Sequence, residues 1–343
     1  MTSRQVTVTA PSRLHFGLFA AANVRAGPVG GIGLMLDRPR SQVRLARSAR
    51  LEVTADEPGR ILRVVRQWFS LRAVNLGIAP SCAEELPIAI RHLAGPPPHI
   101  GLGSGTQLAL SVVAGLDRWF EISSELSVDH AMHFGRGRRS AVGSAGFLQG
   151  GLICDFGEGD SAAGSQRLTG LPLPRDWRVV LFRPVHGRGL HGPEEEELFA
   201  ALSPSDERHR RGLRQIATDA ILPAARAADF EAFSAAIHEL NFRAGLLFAA
   251  FQQGPFNGGN LSRMIAYLRN AGVSGVGQSS WGPTGFALCA DPAAAERVRR
   301  LLEANFQSEL TWLETAAIAS RGHVLCETKA GASTMEWPRI ARR

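Results

Sequence analysis

The stretch PPPHIGLGSGTQLALSVVAGL, residues 96–116, decides how the rest of the chain is read. Three prolines stiffen the approach, and a turn with glycines at 101, 103 and 105 carries Ser104 and Thr106. From Gln107 onward the pattern is helical, with Leu108, Val112, Gly115 and Leu116 on one face. A loop feeding a helix in this way offers an anion unpaired N–H groups and the positive end of the helix dipole. Glycines let the backbone approach a phosphate closely, and the hydroxyls can donate to it. Gly101, Leu102, Gly103, Ser104, Gly105 and Thr106 are therefore the candidate phosphate-binding set. An ordinary glycine loop capping a core helix is the alternative.

Two commoner phosphate loops are excluded. A Walker A loop needs a lysine directly after its second glycine, and Lys329 is the only lysine in the chain. A dinucleotide fingerprint needs an apolar strand ahead of the glycines and a third Gly or Ala. Pro96-Pro97-Pro98-His99 cannot be a central strand, and Thr106 stands where the third glycine belongs.

The whole sequence has 343 residues, 45% hydrophobic and 20% charged, a globular composition with room for two domains. Lys and Arg total 38 against 31 acids, so the net charge is +7, nearly all of it arginine. The planar guanidinium fork suits carboxylates and phosphates, which points to small anionic substrates. No basic helix with interleaved aromatics is present, so nucleic acid is not expected as a partner. Four well-separated cysteines, at 82, 154, 289 and 326, form no zinc or redox pattern. Without a long apolar run or signal-peptide layout, no membrane partner and a cytoplasmic location are expected.

Upstream, QVTVTA (residues 5–10) alternates as a strand that Pro11 is expected to end. In the following SRLHFG, Arg13 and His15 share one face while Leu14 and Phe16 point oppositely. RAGPVGGIGLML (25–36) suggests a turn into a strand, and residues 40–48 and 49–55 look like partly exposed strands. GRILRVVRQWFSLR (59–72) is an amphipathic helix whose arginines are assigned to a solvated face.

Downstream, Ser127 can cap a short helix bearing His130 and His133. Arg136, Arg138 and Arg139 then lie in a glycine-broken loop, read either as a solvated charge run or as an anion site. GGLICDF is a buried strand, and residues 157–175 look like a linker or hairpin tip. WRVVLFRPV reads as a strand. Beyond it lie His186, Arg188, His191 and Glu194–Glu197, the acids fitting the first turn of a helix. Residues 206–250 read as two helices, with Pro223 kinking or ending the first. A helix stopped by Gly272, a glycine-rich loop into a strand at 285–290, a further helix and a final strand at GHVLCETKA complete an α+β pattern.

Three glycine-rich stations, at about 11–17, 98–106 and 274–286, together resemble the GHMP kinase superfamily. Its P-x-x-x-G-L-G-S-S motif is matched by Pro98-His99-Ile100-Gly101-Leu102-Gly103-Ser104-Gly105. One residue is missing after the proline, and Gly105 replaces the second serine. The C-terminal glycine loop is matched more loosely by Gly275-Val276-Gly277-Gln278-Ser279-Ser280-Trp281-Gly282. The resemblance covers residues 5 to 330. It implies a ribosomal-S5-domain-2-like N-terminal domain, placed at 1–165, and a ferredoxin-like C-terminal domain, placed at 166–343.

Within that superfamily the chain is most similar to the β-ribofuranosylaminobenzene 5′-phosphate synthases. The residues that carry this are Ser12-Arg13-Leu14-His15-Phe16-Gly17, Gly135-Arg136-Gly137-Arg138-Arg139-Ser140 and Gln278-Ser279-Ser280-Trp281-Gly282-Pro283. The resemblance implies condensation of phosphoribosyl pyrophosphate with 4-aminobenzoate or 4-hydroxybenzoate. Loss of CO₂ and pyrophosphate would give a C-riboside in methanopterin biosynthesis, with Mg²⁺ required and its ligands unassigned.

The same resemblance implies site roles. Arg13, His15, Arg138 and Arg139 are the catalytic candidates, with Arg13 or His15 on the benzoate carboxylate or the 5′-phosphate. Arg136 joins the 101–106 loop on the pyrophosphate, and Gly277, Gln278, Ser279 and Ser280 form the C-terminal glycine loop. A homodimer is compatible with this picture. An ATP-dependent small-molecule kinase is the competing expectation, and a non-catalytic ligand binder is a third. A typical kinase of the superfamily carries an Asp shortly before its GG-strand, whereas Ser140-Ala141-Val142-Gly143-Ser144 holds no carboxylate.

Overall fold

A computed structural model describes residues 4–19, 29–76, 80–122, 126–157, 168–185, 197 and 207–328. Two sheets organise them. The first holds β1 (Gln5–Leu18), β2 (Gly31–Arg47), β3 (Glu52–Thr54), β4 (Ile88–Ala94) and β11 (Val324–Thr328) in the order β11-β1-β2-β4-β3. β5 (Leu152–Asp155) pairs with the start of β2, and β6 (Leu168–Leu171) pairs with β5. The second sheet has the order β10-β7-β9-β8, from β7 (Arg178–Pro184), β8 (Val276–Gln278), β9 (Gly285–Cys289) and β10 (Leu310–Ala317).

β1 does not stop at Pro11. The strand absorbs the missing N–H in a register shift between Ala10 and Ser12, and shifts again between His15 and Gly17. Its two halves consequently serve different cores. Val6 and Val8 pack with β2 and with helices α1 (Pro58–Leu76) and α2 (Ser104–Trp119). Leu14 and Phe16 pack with Leu181 of β7, with Phe286 of β9, and with Phe233, Ile237 and Leu240 of a helix at Phe230–Leu246. A single apolar core therefore joins the two halves of the chain, and the seam between them runs along β1.

Helix α2 is the central support. It is buried nearly all round, from Gln107 to Asp117 and at Trp119, rather than along a single face. Trp68 of α1 donates from Nε1 to Asp117 Oδ1 at 2.7 Å, which satisfies the buried indole, while Asp117 Oδ2 is buried with no partner among the described residues. The short helices α3 (Val128–His133), capped by Ser127 as expected, and α4 (Val142–Gln149) follow.

In the second half, α5 (Glu207–Ile216) and α6 (Leu222–Ala227) are one rod joined by a π-helical turn, Ala217–Ile221. Pro223 does not end it. A wider turn relieves the clash of its ring with the carbonyl four residues back, and no N–H is needed there. α7 (Phe230–Leu246), α8 (Ala249–Gln252), α9 (Gly259–Asn270) and α10 (Pro292–Phe306) complete the helices, with Gly272 at φ 85° just past α9.

The sheet pairing does not respect a division at 165/166. β6 lies in the first sheet, and β11 returns the chain to it, with Val6 opposite Glu327 and Val8 opposite Leu325. A strand's local pattern does not encode its partner, so the C-terminal strand could not be assigned to the first unit beforehand. β10 escaped sequence reading because it is a half-buried edge strand directly after a helix. The linker tip at 158–167, the histidines at 186 and 191, and Glu194–Glu196 lie outside the described residues.

Candidate functional site

The phosphate-loop stretch folds as its spacing suggests, but the helix begins earlier, at Ser104 rather than Gln107. Ser104, Gly105 and Thr106 thus form its first turn. Gly103 caps it with φ 72° and provides no side-chain hydrogen bond, whereas Ser127, Asp229 and Asp291 cap α3, α7 and α10 with their side chains. The α2 terminus therefore keeps donors available for an incoming anion. Gly103 must be glycine for a second reason: a Cβ there would lie 2.9 Å from Cβ of Arg13.

A cleft of about 420 Å³ opens over this terminus. Its lining includes Arg13, His15, Gly101, Gly103, Ser104, Gly105, Thr106, Arg136, Arg138, Arg139 and Ser280, eleven residues singled out from sequence. Arg13 and His15 do share a face of β1, with Leu14 and Phe16 buried behind them. The glycine-broken loop brings its three arginines to the opposite wall. Four expected residues stand elsewhere. Leu102 is a core side chain whose carbonyl accepts from Arg13 N at 3.1 Å. Gly277 packs against Asn241 and Phe286, Ser279 is fully buried, and Gln278 faces an adjoining recess.

Of the further lining residues, three with large polar or aromatic side chains take no site role from sequence. Arg60, assigned to the solvated face of α1, reaches the cleft lining, and its Nη1 pairs at 2.8 Å with Glu57, which stands outside that lining. A Cβ built on Gly105 would lie 2.8 Å from Arg60 Nη2 and 3.3 Å from Arg136 Nη1, so both guanidinium tips hang over the α2 terminus. His99, in the left-handed region at φ 63°, and Trp281 complete the rim. Only the one-turn offset of Arg60 from the apolar stripe of α1 could have hinted at its direction.

Electrostatically the cleft is one-sided. Five arginines line it (13, 60, 136, 138 and 139), and no Asp or Glu is among the described lining residues. Burial, then the charges of Arg60, Arg63 and Arg138, pull the Arg136 guanidinium down to about 10. Its Nε is buried with no hydrogen-bond partner among the described residues. Arg136 is held charged against repulsion, the condition that a bound polyanion relieves. His15 behaves oppositely to an anion binder: burial first, and Arg13 second, keep its imidazole well below the usual range, hence neutral at pH 7.

The loop carrying Arg138 and Arg139 is positioned from behind. Asp155 is fully buried and does not line the cleft. Its carboxylate accepts from Ala141 N at 2.6 Å and Gly157 N at 3.0 Å. The Arg139 carbonyl accepts from Gly30 N at 3.1 Å.

Magnesium sites commonly use one or two carboxylates together with substrate phosphates. Here the hard side-chain donors of the lining near the helix terminus are the hydroxyls of Ser104 and Thr106. No cluster of three or more His, Cys, Asp or Glu side chains could hold a metal among the described residues. These residues fit Mg²⁺ only as the companion of a bound diphosphate.

Residues 221–308 match the family model "GHMP kinases C terminal". The structure superposes on homoserine kinase from Cytophaga hutchinsonii with a TM-score of 0.64 at 16% identity, covering 94% of this chain and 97% of that one. The chain has the GHMP kinase fold. Mevalonate diphosphate decarboxylase from Staphylococcus aureus shares the fold as well, with a TM-score of 0.63 at 14% identity over 95% and 98% of the two chains. The chain is 27% identical over 298 residues to beta-ribofuranosylphenol 5′-phosphate synthase of Methanothermobacter thermautotrophicus, covering 83% of this chain and 88% of that protein. It is 29% identical to the protein of the same name from Archaeoglobus fulgidus, over 81% and 86% of the two. Both similarities extend well beyond the C-terminal family match, and both names denote enzymes. Among the described residues of this GHMP fold, no helix is long and apolar enough to cross a membrane.

Proposed function

We propose that the chain transfers the phosphoribosyl group of phosphoribosyl pyrophosphate to 4-hydroxybenzoate or 4-aminobenzoate, with loss of CO₂ and pyrophosphate. The observation that carries this is the cleft with five arginines and no carboxylate in its described lining, built over an uncapped helix terminus. Phosphoribosyl pyrophosphate is anionic at both ends, and such a cleft suits both. The phenol in the names of the relatives favours the hydroxy acid as acceptor.

The steps balance without a redox cofactor. The bond from ribose C1 to the pyrophosphate oxygen breaks, and its electron pair leaves with pyrophosphate. The ring carbon bearing the carboxyl group supplies a pair to C1. The pair of the carboxyl bond then returns to the ring as CO₂ departs. The protein's task is to hold the pieces in line and to stabilise the leaving charge. First-turn N–H groups of α2, Ser104 and Thr106 bind pyrophosphate oxygens, and Arg60 and Arg136 lie directly above. Arg138 and Arg139 supply charge from the facing loop. Mg²⁺, arriving with the diphosphate, would add Lewis-acid charge neutralisation. Arg13, running past Gly103 and Gly143, is the cation for the remaining phosphate or carboxylate. His15, being neutral, is not proposed as an ion-pair partner.

The test incubates the protein with phosphoribosyl pyrophosphate, Mg²⁺ and each benzoate in turn, and measures released CO₂ and pyrophosphate. Release with at least one acid is expected. No release with either, together with ATP consumption on an alcohol, would establish a kinase instead.

A further inference from the structure

Beside the anion cleft lies a recess of about 40 Å³ that shares His15, Leu18, Ser280 and Trp281 with it. One water occupies about 10–15 Å³ on this measure, so the space holds roughly three waters, the bulk of one planar six-membered ring. Phe16, Phe248 and Trp281 supply its apolar walls, the last two with ring centroids 4.1 Å apart at 65°.

The amide of Gln252 in this lining is unfinished. Gln252 is 7% exposed, and its Nε2 donates to Gly245 O at 3.1 Å and Pro255 O at 2.9 Å. Carbonyls only accept, so the amide orientation is fixed by its partners. Its Oε1 is left as an acceptor that takes no hydrogen bond among the described residues. The other two amides here are engaged at both ends. Asn241 donates to Gln278 O at 2.8 Å and accepts from Gln278 N at 2.9 Å. Gln278 donates to Ser280 O at 2.7 Å and accepts from Asn257 N at 2.5 Å.

We propose that this recess seats the ring of the aromatic acid, with its para hydroxyl or amino group donating to Gln252 Oε1. The assignment rests on the synthase reading and names the determinant of its acceptor. The ring carbon that attacks ribose C1 must face the cleft, so the para substituent points the opposite way, into the recess. Accepting a hydrogen bond from that substituent leaves more electron density to flow into the ring. The carbon enriched is the one para to it, which forms the new bond. His15 stands where recess and cleft meet, and its neutral imidazole does not clamp a carboxylate that must depart as CO₂.

The test is calorimetry with pyrophosphate present, using 4-hydroxybenzoate, 4-methoxybenzoate and benzoate as probes. The unaltered protein should bind the hydroxy acid at least about tenfold more tightly than the other two. Gln252→Leu should bring all three within about twofold while pyrophosphate affinity is kept. Because Gln252 also ties Gly245 to Pro255, a second variant, Ala244→Leu, fills the recess from α7 and should weaken all three acids at least about tenfold. Equal binding of the hydroxy and methoxy acids by the unaltered protein overturns the assignment, as does a preference that survives Gln252→Leu. If phosphoribosyl transfer fails while the hydroxy preference stands, only the synthase reading falls. Turnover without that preference removes the recess alone.

Discussion

The hydroxyl of Ser279 donates to the carbonyl oxygen of Gly101 at 2.8 Å, across 178 residues of sequence. Ser279 Oγ in turn accepts from His15 N at 3.0 Å, and the next residue, Ser280, donates its N–H to His15 O at 3.0 Å. One buried side chain thus clasps all three glycine-rich stations. Ser279→Ala would leave the buried His15 N–H unpaired and Gly101 O with only its 3.5 Å bond from Arg13 Nη2, a loss of about 1–3 kcal/mol. A lower urea midpoint at unchanged slope, with weaker pyrophosphate binding, is the expected result.

Gly101 and Gly105 should respond differently to the same change. At Gly101, φ is 89° and an added Cβ would lie 2.2 Å from Ser279 O, a backbone atom. Gly101→Ala therefore costs about 1–3 kcal/mol from the backbone conformation alone, and the clash adds to it. At Gly105 the obstacle is the far end of the Arg60 side chain, which can move. Gly105→Ala should keep or raise the melting temperature, since alanine favours the helix, yet weaken pyrophosphate binding by displacing Arg60. Paired thermal melts and calorimetry read both effects.

Arg136 should show binding and stability in opposition. Replacing a repelled, half-buried charge with an apolar side chain is often neutral or stabilising by about 1 kcal/mol or more. Arg136→Met is expected to melt no lower than the parent without ligand. Its pyrophosphate affinity should fall at least about tenfold, the worth of one charge-assisted contact. A variant that melts lower and binds normally would remove Arg136 from the anion site.

Pyrophosphate itself should stabilise the parent chain. At about one hundred times its dissociation constant, a ligand that binds only the folded state contributes about 2.7 kcal/mol. Raising the salt concentration should shrink the shift in melting temperature, since the cleft attracts its ligand by charge.

Acid should weaken the fold through its buried imidazoles. His15 lies well below its ordinary value of 6.5 because it is buried beside Arg13, and His92, His238 and His323 are lowered too, chiefly by burial. Above 6.5 these rings are neutral in both states, and their contribution to stability is fully present. As pH falls from there towards the native values, the unfolded chain gains protons first and stability is lost. Urea midpoints at pH 7.5 and 5.5 measure the slope, and His15→Gln should flatten part of it.

Much of the site was legible because its chemistry is local. Glycines at 101, 103 and 105 beside two hydroxyls announce an anion loop, and a two-residue spacing puts Arg13 and His15 on one face. Arg60 was hidden because a helix periodicity separates apolar from polar positions without saying which polar side meets solvent. Ser279 was legible as part of a motif, but its role as a buried clasp depends on where residues 178 positions away come to lie. Asp155 looked like the end of a buried strand, and only the folded loop shows its carboxylate holding Ala141.

Sequence by itself determined the start of β1, helices α1, α2 and α3, the buried strand β5, the helix-terminus anion site and its cationic character. Those properties follow from periodicity, glycine spacing and charge, which neighbouring residues settle among themselves. Only the tertiary structure decided that β11 closes the first sheet, that α1 contributes Arg60, and that an aromatic-walled recess with an idle Gln252 carbonyl adjoins the phosphate loop. Each of these depends on long-range packing between segments whose local patterns carry no record of their partners.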